Sequence, residues 1–342
     1  MIRESLLYLS DNPAVRRIVT ETPASRRIAE RFVAGDTLAD AVRCAKQLNA
    51  SGLLVTLDPL GEQVTDRAEA IHATDVAVQT IEAIATEGIQ GNISVKATQL
   101  GLELDESLCR DNLRRILDRA RELGDAQGEI FVRLDMESSE FTERTISLVE
   151  HCFAEGYRNV GTVVQSYLRR AASDVDRLVA IGSRVRLVKG AYREPDQVAF
   201  PDKAVVDRKF VEAMMTLLDA GHYPAIATHD EAMIRATRNY AFEYGIARTS
   251  FEFQMLYGIR RDLQIRLREE GYNVRVYLPF GDSWYPYLMR RMAERPANLL
   301  FVLENVARET PLNGASGAIG LGAGFVVGAL AARAWRERET GS

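Results

Sequence analysis

IFVRLDMESSEFTERTISLVEHCFAEGYRNVGTVVQS, residues 130–166, holds one full period of the pattern that decides the fold. An apolar, β-branched run (IFVRLDM, 130–136) gives way to a helical stretch, and a second run of the same kind (VGTVVQS, 160–166) follows. Apolar runs separated by helices are what a helix-covered parallel sheet requires, because a parallel strand can be reached only through a crossover. Working outward, the period recurs upstream in LLVTLD (53–58) and ISVKAT (93–98). Downstream it recurs in VRLVKGA (185–191), PAIATHD (224–230), TSFEFQML (249–256) and VRVYLPFG (274–281). Connecting segments such as DNLRRILDRARELG and VVDRKFVEAMMTLLDAGH space their apolar residues as helices do. Eight consecutive strand–helix units over about 240 residues predict an α/β fold of the (β/α)8 barrel type. A doubly wound sheet is the alternative, and the unbroken run of units favours closure.

The flanks read differently. Residues 1–52 contain two amphipathic helical patterns, SRRIAERFVAG and TLADAVRCAKQLNASG, with no strand between them. They predict an N-terminal helical arm packed on a barrel spanning 53–296, with residues 297–342 as a C-terminal helix and tail. Thr37 is placed to cap the second arm helix, with Asp40 three residues on completing a capping-box variant. The tail includes ASGAIGLGAGFVVGALAA (315–332), which carries no charge and is followed by Arg333, Trp335, Arg336 and Arg338. Its length is at the lower edge for crossing a bilayer, and Gly320, Gly324 and Gly328 have small-xxx-small spacing. Two readings stay open: a disordered or docking tail, and a membrane-associating helix. Gly320, Gly322 and Gly324 do not complete GxGxxG, because Phe325 stands where the third glycine belongs.

A formal charge of −5 argues against a general nucleic-acid binder, which needs a basic face. Cys44, Cys109 and Cys152 are odd in number and widely spaced, which suits a reducing compartment and offers neither a disulfide frame nor a zinc site. Paired arginines at 16–17 and 26–27 are followed by no apolar run, so no export signal is expected and the cytoplasm is the predicted compartment.

In a (β/α)8 enzyme the reactive side chains gather where strands end, over an interior expected to be apolar packing. Reading the strand ends in order gives Lys96, Asp135, Gln165, Arg186 with Lys189, Thr228 with His229, Glu252 with Gln254, and Tyr277. One buried charge is explained by a rim ion pair, but a polar residue on nearly every strand points to a shared ligand site. The four histidines (72, 151, 222, 229) form neither HxH nor HExxH, and no GxSxG is present, so metal-dependent and acyl-transfer hydrolysis are disfavoured. Lys96 and Lys189 leave a Schiff-base (class I type) aldolase as an alternative, which needs an amine activated by apolar or cationic surroundings. The stretch YLPFGDSWYPYLMRRMAE (277–294) offers another lead, adjacent Arg290 and Arg291 beside Trp284, Tyr285 and Tyr287. Guanidinium forks suit a carboxylate or phosphate. The bland reading pairs both arginines with Glu294 on their own helix.

In combination, ISVKATQLG, VRLDMESS, VVQSYLRR, VRLVKGAY, ATHD, FEFQMLYG and YLPFG…WYPYLMRRMAE resemble the proline dehydrogenase family, in chain order over about residues 30–300. The resemblance implies a distorted (β/α)8 barrel that uses FAD to oxidise L-proline to Δ1-pyrroline-5-carboxylate and passes electrons to a membrane quinone. By that resemblance Lys96, Arg290 and Arg291 bind the proline carboxylate, while Tyr277, Tyr287 and Leu256 wall its ring. Asp135 and Arg186 are the active-site pair. Met136, Gln165, Arg186, Val188, Lys189, Gly190, Ala191, Thr228 and His229 contact the flavin cofactor. Glu62 corresponds to a gate that pairs with the first arginine. The family further implies peripheral association with the inner face of the cell membrane. With no room in the chain for an aldehyde dehydrogenase module, a separate pyrroline-5-carboxylate dehydrogenase is the expected downstream partner.

Overall fold

The computed structural model of the chain describes residues 29–61, 64–124 and 128–294. One compact unit runs from Ala34 to Asp282; the other described residues, 29–33 and 283–294, belong to a second unit. The first unit is a closed barrel of eight parallel strands in sequential order. The strands are β1 (Leu54–Pro59), β2 (Gly91–Lys96), β3 (Val132–Asp135), β4 (Val160–Gln165), β5 (Arg184–Val188), β6 (Ala225–Ala227), β7 (Glu252–Leu256) and β8 (Asn273–Phe280). The ring closes where β8 pairs with β1, Leu54 to Pro59 lying beside Arg275 to Phe280. Each strand falls within, or within two residues of, a run picked out in the sequence, and closure rather than a doubly wound sheet is what forms.

Helices follow the strands: α1 (Leu38–Ala50) before β1, then α2 (Arg67–Thr86), α3 (Glu106–Glu122), α4 (Ser139–Ala154), α5 (Ala171–Ala180), α6 (Lys203–Ala220), α7 (Glu231–Glu243) and α8 (Arg261–Glu269) between successive strands. Most start at a side-chain cap. Asp66, Asp105, Asp202 and Asp230 each accept a hydrogen bond from a backbone N–H of the first turn, satisfying donors that have no partner within the helix. Thr37 and Asp40 form the reciprocal capping box expected for α1, which packs against β1 and β8. Of the other expected arm helix, SRRIAERFVAG (25–35), residues 25–28 lie outside the described residues and 30–35 are turn and loop rather than helix, while the tail 315–332 lies outside them altogether. Among the described residues no helix is long and apolar enough to cross a membrane.

The apolar core lies between the barrel and its helices, not inside the barrel. Leu57, Ile93, Leu134, Leu187, Ile226, Phe253 and Val276 point outward into one cluster with Ile81, Leu113, Ile116, Val149 and Phe210. Of the residues alternating with them, which face the lumen, most are polar, among them Arg133, Asp135, Arg186, Glu252, Gln254, Arg275 and Tyr277, while β6 contributes Ala225 and Ala227. Bonds from Arg186 on β5 to Ser94 on β2, and from Tyr277 on β8 to Asp135 on β3, join strands that are not neighbours and so must cross the interior. The expectation of an apolar interior is therefore wrong for this barrel. Val-Arg-Leu-Asp in β3 and Glu-Phe-Gln-Met in β7 are two-residue alternations, apolar outward and polar inward, not continuous apolar runs.

In the second unit α9 (Trp284–Glu294) carries Pro286 within its first turn, where a missing N–H costs no helical bond.

Candidate active site

Arg186 is the hub. It lies inside β5 with 5 % of its surface exposed, and each edge of its guanidinium goes to a different strand. Nη1 donates to Asp135 Oδ1 on β3 at 2.5 Å, Nη2 to Ser94 Oγ on β2 at 3.2 Å, and Nε to Gln254 Oε1 on β7 at 2.5 Å. Ser94 Oγ in turn donates to Asp135 Oδ1 at 3.0 Å. The other carboxylate oxygen of Asp135 accepts from the Tyr277 hydroxyl at 2.7 Å, and the Arg186 guanidinium lies 5.2 Å from the centre of the Tyr277 ring. Buried charges are tolerated on these terms, each paired and hydrogen-bonded. Burial first, and then the nearby carboxylates of Asp135 and Asp58, push the Tyr277 phenol well above its ordinary range, which keeps the hydroxyl a donor.

Beside this hub Lys96, the last residue of β2, places Nζ 3.5 Å from Asp58 Oδ1 on β1. Asp58 is 2 % exposed, and burial raises its carboxyl pKa; Lys96 opposes the shift and Asp135 adds to it. Asp58 and Ser94 join the candidate site through Lys96 and Arg186, and neither was among the residues singled out in the sequence. Asp58 ends an apolar run and Ser94 is a lone serine in another, so the only available signal was their inward parity along the strand.

The flavin-side candidates lie together around the ends of adjacent strands. Met136 follows β3, Gln165 ends β4, Val188 ends β5 with Lys189, Gly190 and Ala191 after it, and Thr228 and His229 follow β6. Gln165 Nε2 donates to the Glu137 carbonyl at 2.9 Å, and Lys189 Nζ reaches Asp207 at 2.5 Å and Asp230 at 2.7 Å. His229 Nε2 accepts from the Leu256 backbone N–H at 2.9 Å, which ties the end of β7 to the loop after β6. Gly190 has φ of +118°, and a Cβ there would come within 2.2 Å of the Tyr167 ring, so no other residue permits this close turn. Amide, hydroxyl, imidazole and ammonium groups around a glycine bend fit an anionic cofactor with a hydrogen-bonding ring edge, and FAD is such a molecule.

Some expected placements are corrected. Glu252 opens β7 and lies at the end of the barrel opposite the candidate site, while Arg186 and Tyr277 lie within their strands. Tyr287 and Arg291 are on α9, the guanidinium of Arg291 5.2 Å from the centre of the Tyr287 ring. Arg290 is on the same helix, its side chain outside the described residues, as Glu62 is altogether. Both candidate Schiff-base lysines are ion-paired to carboxylates, Lys96 with Asp58 and Lys189 with Asp207 and Asp230. That environment is unlike the one an activated amine needs.

Comparison with known proteins decides the family. A family model described as proline dehydrogenase matches residues 41–304. The chain belongs to the proline dehydrogenase family. It is 42% identical over 309 residues to proline dehydrogenase 1 of Bacillus subtilis subsp. natto, an alignment covering 90% of this chain and 100% of that one. With the proline dehydrogenase of Deinococcus radiodurans it shares 39% identity over 312 residues, covering 90% and 98% of the two chains. A crystal structure of proline utilization A from Bdellovibrio bacteriovorus, inactivated by N-propargylglycine, superposes with a TM-score of 0.73 at 25% identity. That match covers 84% of this chain and 35% of the other, so the chain spans about a third of that larger protein. The protein is accordingly an oxidoreductase acting on proline, of a family that is flavin-dependent in general, and the aldolase alternative has no support.

Proposed function

We propose that this chain binds FAD and oxidises L-proline to Δ1-pyrroline-5-carboxylate, the first step of proline breakdown. The observation that carries the reading is the cross-barrel lattice of Arg186, Asp135, Ser94 and Tyr277 with the Lys96 ammonium beside it, in a chain of this family. FAD, when bound by Met136, Gln165, Val188, Lys189, Gly190, Ala191, Thr228 and His229, supplies a two-electron acceptor for a C–H bond that no protein side chain can oxidise.

The chain's own residues supply orientation and charge. Lys96, Arg290 and Arg291 hold the carboxylate of proline, which fixes the carbon presented for oxidation and makes the reaction effectively unimolecular. Tyr277, Tyr287 and Leu256 wall the apolar ring. Arg186, locked by three acceptors, would offer a bound flavin a fixed positive charge able to offset the negative charge of its reduction without reorganising. Asp135 holds that guanidinium and accepts the Tyr277 hydroxyl. Glu62 acts as a gate toward Arg290. Electrons pass on to a membrane quinone, with the protein peripheral at the inner face of the membrane, and a separate pyrroline-5-carboxylate dehydrogenase takes the product.

The experiment is an anaerobic titration of the purified yellow protein with L-proline, followed by its visible spectrum and by trapping of the cyclic imine. Bleaching of the flavin band with stoichiometric imine is expected. A colourless protein, or a flavin that proline leaves oxidised, contradicts the reading.

A further inference from the structure

Below Arg186 the lumen holds a second set of buried polar groups to which the reaction assigns no role. Glu252, at the start of β7, is 2 % exposed, and Gln254 is 3 % exposed. Arg275 on β8 grips the Glu252 carboxylate with two donors, Nε to Oε1 at 2.8 Å and Nη2 to Oε2 at 3.0 Å, and its Nη1 donates to the Val55 carbonyl on β1 at 2.8 Å. Gln254 Nε2 donates to Glu252 Oε1 at 2.5 Å, and Gln254 Oε1 accepts from Arg186 Nε at 2.5 Å. The chain of bonds Val55–Arg275–Glu252–Gln254–Arg186 therefore runs from the N-terminal end of the barrel up to the candidate site.

The chemistry at its two ends is restrictive. A guanidinium only donates and a carboxylate only accepts, so whatever joins them must accept at one end and donate at the other. An amide does this, and it can do so in one orientation only. Burial works to raise the Glu252 carboxyl pKa, yet the charge and hydrogen bonds of Arg275 prevail and hold it below its usual range. The acceptor that orients Gln254 is thus ionised at neutral pH.

We propose that Gln254, oriented by Glu252 and Arg275, is a positioning residue for Arg186. It fixes the Nε edge of the guanidinium as Asp135 and Ser94 fix the other two nitrogens, so that the charge is aimed before substrate arrives. This rests on the proline-oxidising role of Arg186 proposed above.

Two variants test it in the flavin-loaded, full-length protein. Gln254→Met keeps the volume and removes both bonds. The exchange variant Glu252→Gln/Gln254→Glu preserves charge and keeps an acceptor for Arg186 Nε, with the bond between positions 252 and 254 reversed. In it the amide oxygen at position 252 accepts a single bond from Arg275 in place of two, and the amide nitrogen donates to the carboxylate now at position 254, which accepts from Arg186. Gln254→Met is expected to lower kcat about 10- to 100-fold, the usual loss when a supporting shell is removed, with little change in KM for proline. The exchange variant, whose carboxylate at position 254 still accepts from Arg186 Nε, is expected to recover part of that loss. The second readout is independent of turnover: hydrogen exchange at Arg186 Nε in protein carrying nitrogen-labelled arginine, slow in the parent and the exchange variant and fast in Gln254→Met. If proline is turned over normally by Gln254→Met and the Nε proton stays protected, the proposal is overturned. Failure of the exchange variant to recover either readout overturns it too. If the parent does not oxidise proline but the Nε protection follows this pattern, the bond chain stands and only the assigned reaction falls.

Discussion

Tyr277 shows how much of the candidate site depends on single atoms. Its hydroxyl is the donor to Asp135 Oδ2, 142 residues away in sequence and across the barrel. Tyr277→Phe leaves that oxygen short of a donor, and about 1–3 kcal/mol of stability is expected to be lost, measured by urea unfolding near neutral pH. The phenol pKa is raised by folding above its ordinary 10.0, so this contribution is complete below pH 10.0 and is lost as pH rises through the folded value. Wild type and variant should therefore converge only in strong alkali; convergence at neutral pH rules out the bond. Arg290→Lys and Arg291→Lys keep the charge but lose the planar fork. Each is expected to weaken proline binding by about 1.5–3 kcal/mol, and an unchanged apparent affinity in steady-state kinetics removes that residue from the clamp. At this scale the sequence revealed Lys96, Asp135, Arg186 and Tyr277 because charged or hydroxylated residues interrupt apolar runs. Asp58 and Ser94 escaped because short polar residues at strand ends and within strands are common. What marks them is contact with Lys96 and Arg186, set by barrel closure and invisible along the chain.

At the scale of elements, the strands were legible within one or two residues where runs were long, as in β4 and β8. They were least legible in β6, where Ala225–Ala227 is flanked by Thr228-His229-Asp230, already loop and helix cap. The alternation within strands was read as continuous hydrophobicity because Val, Leu and Ile on the helix-facing side dominate each run. On the outer surface α4 and α5 are tied by Glu143, which accepts from Arg177 and from Arg170. Those bonds, Arg177's first, lower its carboxyl pKa from 4.5 to about 2. A depressed carboxyl stabilises above its unfolded pKa and loses that contribution as pH falls from 4.5 toward about 2. Its side chain is 53% exposed, so solvent screening limits the contribution to under about 1 kcal/mol. Glu143→Gln is expected to be slightly less stable than wild type near neutral pH, with the gap closing in acid. A gap independent of pH across that window means the charge is not its source.

For the whole molecule, the family and the closed barrel followed from eight repeats and from motifs at their ends. The proposed quinone acceptor lives in the bilayer, and the uncharged stretch 315–332 with its flanking arginines is the segment of the sequence most suited to approach it. Deleting residues 315–342 is expected to leave turnover with a soluble dye intact and to reduce turnover with quinone in vesicles. Equal quinone turnover in the truncated protein assigns the approach to another surface. The most direct measurement of the account is a crystal structure of the flavin-loaded protein with an inert proline analogue whose ring carries oxygen in place of the amine. The carboxylate of the analogue should lie within hydrogen-bonding distance of Lys96 Nζ and of the Arg290 and Arg291 guanidinium groups, its ring against Tyr277. A carboxylate bound elsewhere, with those three cations directed at other partners, contradicts it.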